Sequence, residues 1–117
     1  MKQVDNILNT ILLKGKNVSE QKREFLLERI NLLKKVNIIP QLAAIIVGND
    51  PASHIYVRNK SKVFRKLGCK STTIHLESDV SEGELIKEIN SLNNDPDIHG
   101  ILIQLPIPKH LDSNNIL

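Results

Sequence analysis

Three side chains of this sequence have the types and spacing to do chemistry together: Tyr56, Lys60 and Gln104. Between Asp50 and Gly68, helical spacing lines up Tyr56, Lys60, Val63, Phe64 and Leu67, while Arg58, Lys62 and Arg65 fall on the opposite face. The first stripe is expected to face the core, which makes Lys60 a cation on an apolar face. One reading is that its methylene stem lies along apolar surface and its ammonium reaches water at the edge. The other is a working amine, because a lysine held away from water gives up its charge more readily and can act as acid, base or nucleophile. Gln104, late in the apolar run Gly100–Leu105, either caps loop backbone or points into a site. The Lys60 side chain leans towards the start of its helix, where Ser53 and Tyr56 stand. Tyr56 and Gln104 also have packing readings by themselves, as a half-buried filler and a loop cap, and Ser53 reads as a first-turn helix residue.

The elements that must position them read as helix and strand in alternation. A first helix is expected near Asn17, with Glu20 as its capping partner and Phe25, Leu26, Ile30 and Leu33 on one face, ended by Pro40. Leu42–Val47 is a continuous apolar run, as in a strand buried on both faces of a parallel sheet. Asp50 suits an N-cap, Pro51 the first helical position and Gly68 the stop of the helix bearing Lys60. Lys70–Leu76 alternates like an edge strand. Ser81 and Glu84 form a capping box, with Val80 and Leu85 as its staple, and Gly100–Leu105 reads as a second central strand closed by Pro106 and Pro108. This order implies an α/β fold, an open three-layer sandwich with a mainly parallel sheet and helices on both faces. Val4, Ile7, Leu8, Ile11 and Leu12 have helical spacing, yet Leu12-Leu13 before Gly15 also suits a short strand. Asp112 and Ser113 open a helix that the chain leaves only a few residues long.

Composition narrows the function classes. The 117 residues fit one domain, and 40% hydrophobic content is enough to bury a core without disulfides. Cys69 is the single cysteine, which favours a reducing compartment, and with no secretory leader the default is cytoplasmic. The apolar runs are too short for a bilayer, so no membrane partner is expected. The charge of +3 is scattered and aromatic residues make up 3%, which argues against nucleic acid; Arg58, Lys62, Arg65 and Lys66 read as a solvated helix face. His54, His75, His99 and His110 lack metal-ligand spacing, and no metal is expected.

Two segments together resemble a known family. Val47-Gly48, Asp50-Pro-Ala-Ser53, Tyr56-Val57, Lys60 with Lys62, Gly68, and above all Gly100-Ile-Leu-Ile-Gln-Leu-Pro-Ile-Pro108 are similar to the signatures of bifunctional methylenetetrahydrofolate dehydrogenase and methenyltetrahydrofolate cyclohydrolase. Leu12-Leu-Lys-Gly-Lys16 resembles that family's opening motif, with Lys14 where an aspartate is usual. The resemblance implies a catalytic domain over residues 1–117, truncated at its C-terminus. It lacks both the Rossmann domain that binds NADP or NAD and the Asp-Val-Asp-Gly segment whose aspartate contacts the pterin.

The resemblance further implies that Lys60 is the catalytic lysine, Gln104 the glutamine bonded to it and Tyr56 the ring that packs on folate. Ser53, Leu105 and Pro106 join Tyr56 and Gln104 in contact with tetrahydrofolate derivatives. The intact enzyme is implied to be a homodimer that uses NADP in one-carbon metabolism and purine biosynthesis. No cofactor is expected on this chain, which lacks a Gly-x-Gly-x-x-Gly turn. Two other readings stand beside this one: a folate-binding fragment without turnover, and a receiver-type or flavodoxin-like domain acting through protein contacts. The second would need an acidic cluster at the strand ends, where the sequence offers Gly48, Asn49, Asp50 and Gln104.

Overall fold

A computed structural model of the chain describes residues 15–117. The expectations for residues 1–14, including the opening motif's Leu12 to Lys14, lie outside the described residues. Helix α1 spans Gly15–Lys35, strand β1 Gln41–Val47, helix α2 Pro51–Lys66, strand β2 Lys70–Leu76, helix α3 Glu82–Asn93, strand β3 Gly100–Ile103 and the single turn α4 Ser113–Ile116.

The three strands form one parallel sheet in the order β2-β1-β3. Ile45 of the middle strand is level with Ile74 on one side and Ile103 on the other. Strand β1 is apolar from Leu42 to Val47 because both of its faces are covered there. Ile45 and Val47 point into a cluster with Val80, Leu85 and Leu111, under α3 and the C-terminal turn. Ala44 and Ile46 point the other way, against Val57 of α2. Helices thus lie on both faces of the sheet, giving the three layers. The run after Gly100, expected to be central, stands instead at the sheet's edge among the described residues, and its strand ends at Ile103. Its residues are only partly buried, which shows that apolar sequence alone does not fix a strand's place in the order.

Local chemistry sets the helix boundaries. Asp50 caps α2 by accepting from the Ser53 N–H at 3.0 Å, with Pro51 in the first turn. At the other end Gly68, at φ 80°, closes a Schellman motif: Cys69 N–H reaches Phe64 O and Gly68 N–H reaches Arg65 O, both at 2.9 Å. Ser81 caps α3 through the Glu84 N–H at 3.1 Å, and Val80 packs in one cluster with Leu85.

Helix α1 departs from expectation at both ends. It is already helical at Gly15, so Asn17 and Glu20 lie inside it. It stops before Pro40, because Asn37 takes up the left-handed conformation at φ 64° and Ile38 N–H bonds Leu33 O at 3.0 Å. Of its expected apolar face, only Ile30 is buried; Phe25, Leu26 and Leu33 are exposed.

Candidate active site

The site lies at the carboxyl ends of β1 and β3, where ligands of open α/β sheets bind. Helix α2 approaches the sheet through Ser53, Val57 and Ser61, spaced four residues apart and all buried. Two of the three are serines, whose small side chains let the helix lie close to the strands; the Ser61 hydroxyl bonds the Ser71 hydroxyl of β2 at 2.9 Å. The stripe expected to face the core is rotated off the sheet, with Val63, Phe64 and Leu67 half-buried towards α1. Tyr56 is 56% exposed and Lys60 is also exposed, so burial does not prepare the lysine. What the fold gives Lys60 is a partner.

Lys60 Nζ donates to Gln104 Oε1 at 2.8 Å across 44 residues of sequence. An ammonium has no acceptor, so the amide must present its oxygen to it. The other half of the amide fixes the same orientation, with Gln104 Nε2 donating to Leu105 O at 3.1 Å. Gln104 itself is held at the sheet's end by its own N–H, which donates to Ile45 O of β1 at 3.0 Å.

Ser53 completes the arrangement from α2. It is buried, and its hydroxyl donates to Asp50 Oδ2 at 2.9 Å while lying 3.4 Å from Leu105 O. The start of α2 and the turn after β3 therefore meet at the Leu105 carbonyl, which receives the amide that steers Lys60. The Leu105 and Pro106 side chains are exposed beside this turn. Leu105, Tyr56 and Ile55 are apolar groups left open to solvent at this end of the molecule.

The structure thus brings together Ser53, Lys60, Gln104 and the Leu105 backbone, with Tyr56 one helical turn before Lys60. Sequence reasoning took Asp50 for a cap and missed that it also holds Ser53; the three-residue spacing was the available signal. The Leu105 carbonyl carried no signal, because a backbone atom is the same at every position.

The residues near the Gly48 turn do not suit a dinucleotide. Its carbonyl is bonded to side chains, and the N-terminus of α2 is filled by the Asp50 carboxylate, which would repel a pyrophosphate. Among the described residues, no three His, Cys, Asp or Glu side chains are grouped to hold a metal ion, and no helix is long and apolar enough to cross a membrane.

Residues 13–117 match the tetrahydrofolate dehydrogenase/cyclohydrolase catalytic domain. The chain belongs to that family. Among relatives, the bifunctional protein FolD of Ehrlichia canis is 48% identical over 113 residues, covering 96% of this chain and 36% of the relative. That of the Wolbachia of Drosophila simulans is 46% identical over 109 residues, 92% of this chain and 37% of the relative. The crystal structure of the FolD methylenetetrahydrofolate dehydrogenase/cyclohydrolase from Campylobacter jejuni superposes with a TM-score of 0.86 at 42% identity, covering 91% of this chain and 38% of that one. The Trypanosoma brucei methylenetetrahydrofolate dehydrogenase-cyclohydrolase, solved with NADP cofactor and inhibitor, gives 0.81 at 29% identity over 92% of this chain and 37% of that one. The chain spans about 37% of the length of the curated relatives it matches.

Proposed function

We propose that this chain forms the folate site and cyclohydrolase centre of the family's enzyme, with Lys60 as the catalytic residue. The observation that carries the reading is the 2.8 Å bond from Lys60 Nζ to a glutamine amide whose orientation is fixed at both ends. A neutral amide places the amine without contributing the full negative charge of a carboxylate, which would hold the proton on nitrogen. Hydrolysis of 5,10-methenyltetrahydrofolate needs water at the electrophilic methenyl carbon. It also needs a proton moved from that water's oxygen to the departing ring nitrogen. An amine placed by Gln104 can exchange that proton and yield 10-formyltetrahydrofolate.

Tyr56, exposed one turn before Lys60, offers a flat ring on which a pterin can stack, and Leu105 and Pro106 offer apolar contact beside Gln104. Ser53 acts from behind this surface, since its buried hydroxyl is engaged by Asp50 and lies against the Leu105 carbonyl. The relatives' names support a second step in the intact enzyme, oxidation of 5,10-methylenetetrahydrofolate with NADP as hydride acceptor. In this reading the intact enzyme is a homodimer, and its cofactor is bound by a separate Rossmann domain.

The test follows the loss of 5,10-methenyltetrahydrofolate absorbance with the purified chain, against the spontaneous rate and against Lys60→Ala. Catalysis is expected to fall by about a hundred-fold or more in the variant, in the range set by a positioned proton-transfer group. Folate binding with no hydrolysis above background would make the chain a binding fragment. Failure to bind any reduced folate would overturn the reading.

A further inference from the structure

Histidines that play no part in the Lys60–Gln104 pair tie the rim on which that pair stands. Gly48 ends β1 at φ 92°, and its N–H donates to Leu76 O of β2 at 2.9 Å. Its carbonyl meets two imidazoles: Nε2 of His75, on β2, at 2.8 Å, and Nε2 of His54, in the first turn of α2, at 3.3 Å. The two rings meet edge to face with centroids 5.0 Å apart. A carbonyl oxygen only accepts, so each bonding Nε2 carries a hydrogen.

Resting on the folate-site reading above, we infer that His75, assisted by His54, is a positioning residue for Lys60. Both peptide groups that flank the β1–α2 turn are then secured to β2 on one side, and the turn leads directly to Asp50, which caps α2 and holds Ser53. By fixing the Gly48 carbonyl, the imidazoles fix where α2 begins, and so where Tyr56 and Lys60 stand relative to Gln104. A third histidine repeats the device on the neighbouring loop, with His110 Nε2 donating to Val80 O at 2.7 Å.

The experiment compares His75→Leu, which keeps bulk and removes the donor, with His75→Gln, whose amide nitrogen reaches about as far as Nε2. Amide hydrogen exchange is read at Gly48 and Ser53, whose N–H groups are bonded to Leu76 O and Asp50 Oδ2, together with kcat and KM for 5,10-methenyltetrahydrofolate hydrolysis. In His75→Leu, exchange at these amides is expected to quicken and kcat to fall about ten-fold with a smaller change in KM, and His75→Gln restores both. His54→Leu should act in the same direction more weakly, and it serves as the second test should His75→Leu fail to fold. Unchanged exchange and kcat in His75→Leu, or equal losses in the leucine and glutamine variants, would overturn the inference. Faster exchange with unchanged kcat would overturn it too, leaving a structural tie only. An unmutated chain without activity would sink the cyclohydrolase reading and this inference with it, and the exchange contrast would still show whether the clamp exists.

Discussion

Helices α1 and α2 are the two longest of the described residues, and they use their apolar side chains in opposite ways. Helix α2 buries Ser53, Val57 and Ser61 and leaves Tyr56 exposed; α1 buries Ile30 alone and leaves Phe25, Leu26, Leu32 and Leu33 open. Small side chains bring α2 against the sheet, so that its larger ones are free to form a rim. Periodicity reports that a helix has faces, whereas side-chain size at the contact decides which face can come close. On α1 the large residues have sheet neither beneath them nor beside them. Its contact with the rest of the described chain runs through Ile30, the groove it makes with Val63, Phe64 and Leu67, and Lys34 over Gly68.

If close approach is what α2 depends on, enlarging its contact should be the most damaging change to stability. Ser61→Leu forces bulk between α2 and β2 and strands the Ser71 hydroxyl, with an expected loss of about 3 kcal/mol in urea unfolding. A variant as stable as the parent would show that the helix can ride higher at no cost. Next in size is Asp50→Ala, expected to destabilise by about 1 kcal/mol through loss of the cap. It should also lower hydrolysis of 5,10-methenyltetrahydrofolate, because Ser53 loses its anchor; a stability loss without a rate loss would separate the cap from the site.

On α1 the contrast predicts tolerance. Leu32→Gln should shift unfolding by no more than about 0.5 kcal/mol, and a larger loss would mean that this face is covered in solution. The smallest effect belongs to Cys69, at the junction of the two helices. Burial pushes its thiol above the ordinary range, and the Lys34 charge opposes that shift. The folded state therefore disfavours the thiolate, so this contribution to stability is present below the ordinary thiol range and lost as pH rises through the raised value. Alkylation by iodoacetamide should be slow at pH 8, and Lys34→Gln should slow it further; faster alkylation would contradict the placement of Lys34.

Much of this was legible from residues close in sequence. Asp50, Pro51 and Gly68 bounded α2, Ser81 and Glu84 opened α3, and the unbroken run to Val47 marked the middle strand, because caps and strand burial act over a few residues. The rotation of α2 was not legible, since hydrophobic spacing gave weight to Val63, Phe64 and Leu67 and none to two serines. Nor was the stop of α1 at Asn37, where a side chain that tolerates left-handed backbone came before the proline that seemed decisive. The family pattern picked out Lys60 with Gln104, and only the fold showed how they are joined.

The atom that orients the Gln104 amide for Lys60 is the Leu105 carbonyl, which takes the amide N–H and lies within reach of the Ser53 hydroxyl. Every amino acid supplies that oxygen. The leucine side chain, 49% exposed, is therefore free to drift in evolution, altering what the mouth of the site admits while the lysine keeps its partner. Selectivity and reactivity can change here on separate schedules, although they share a residue.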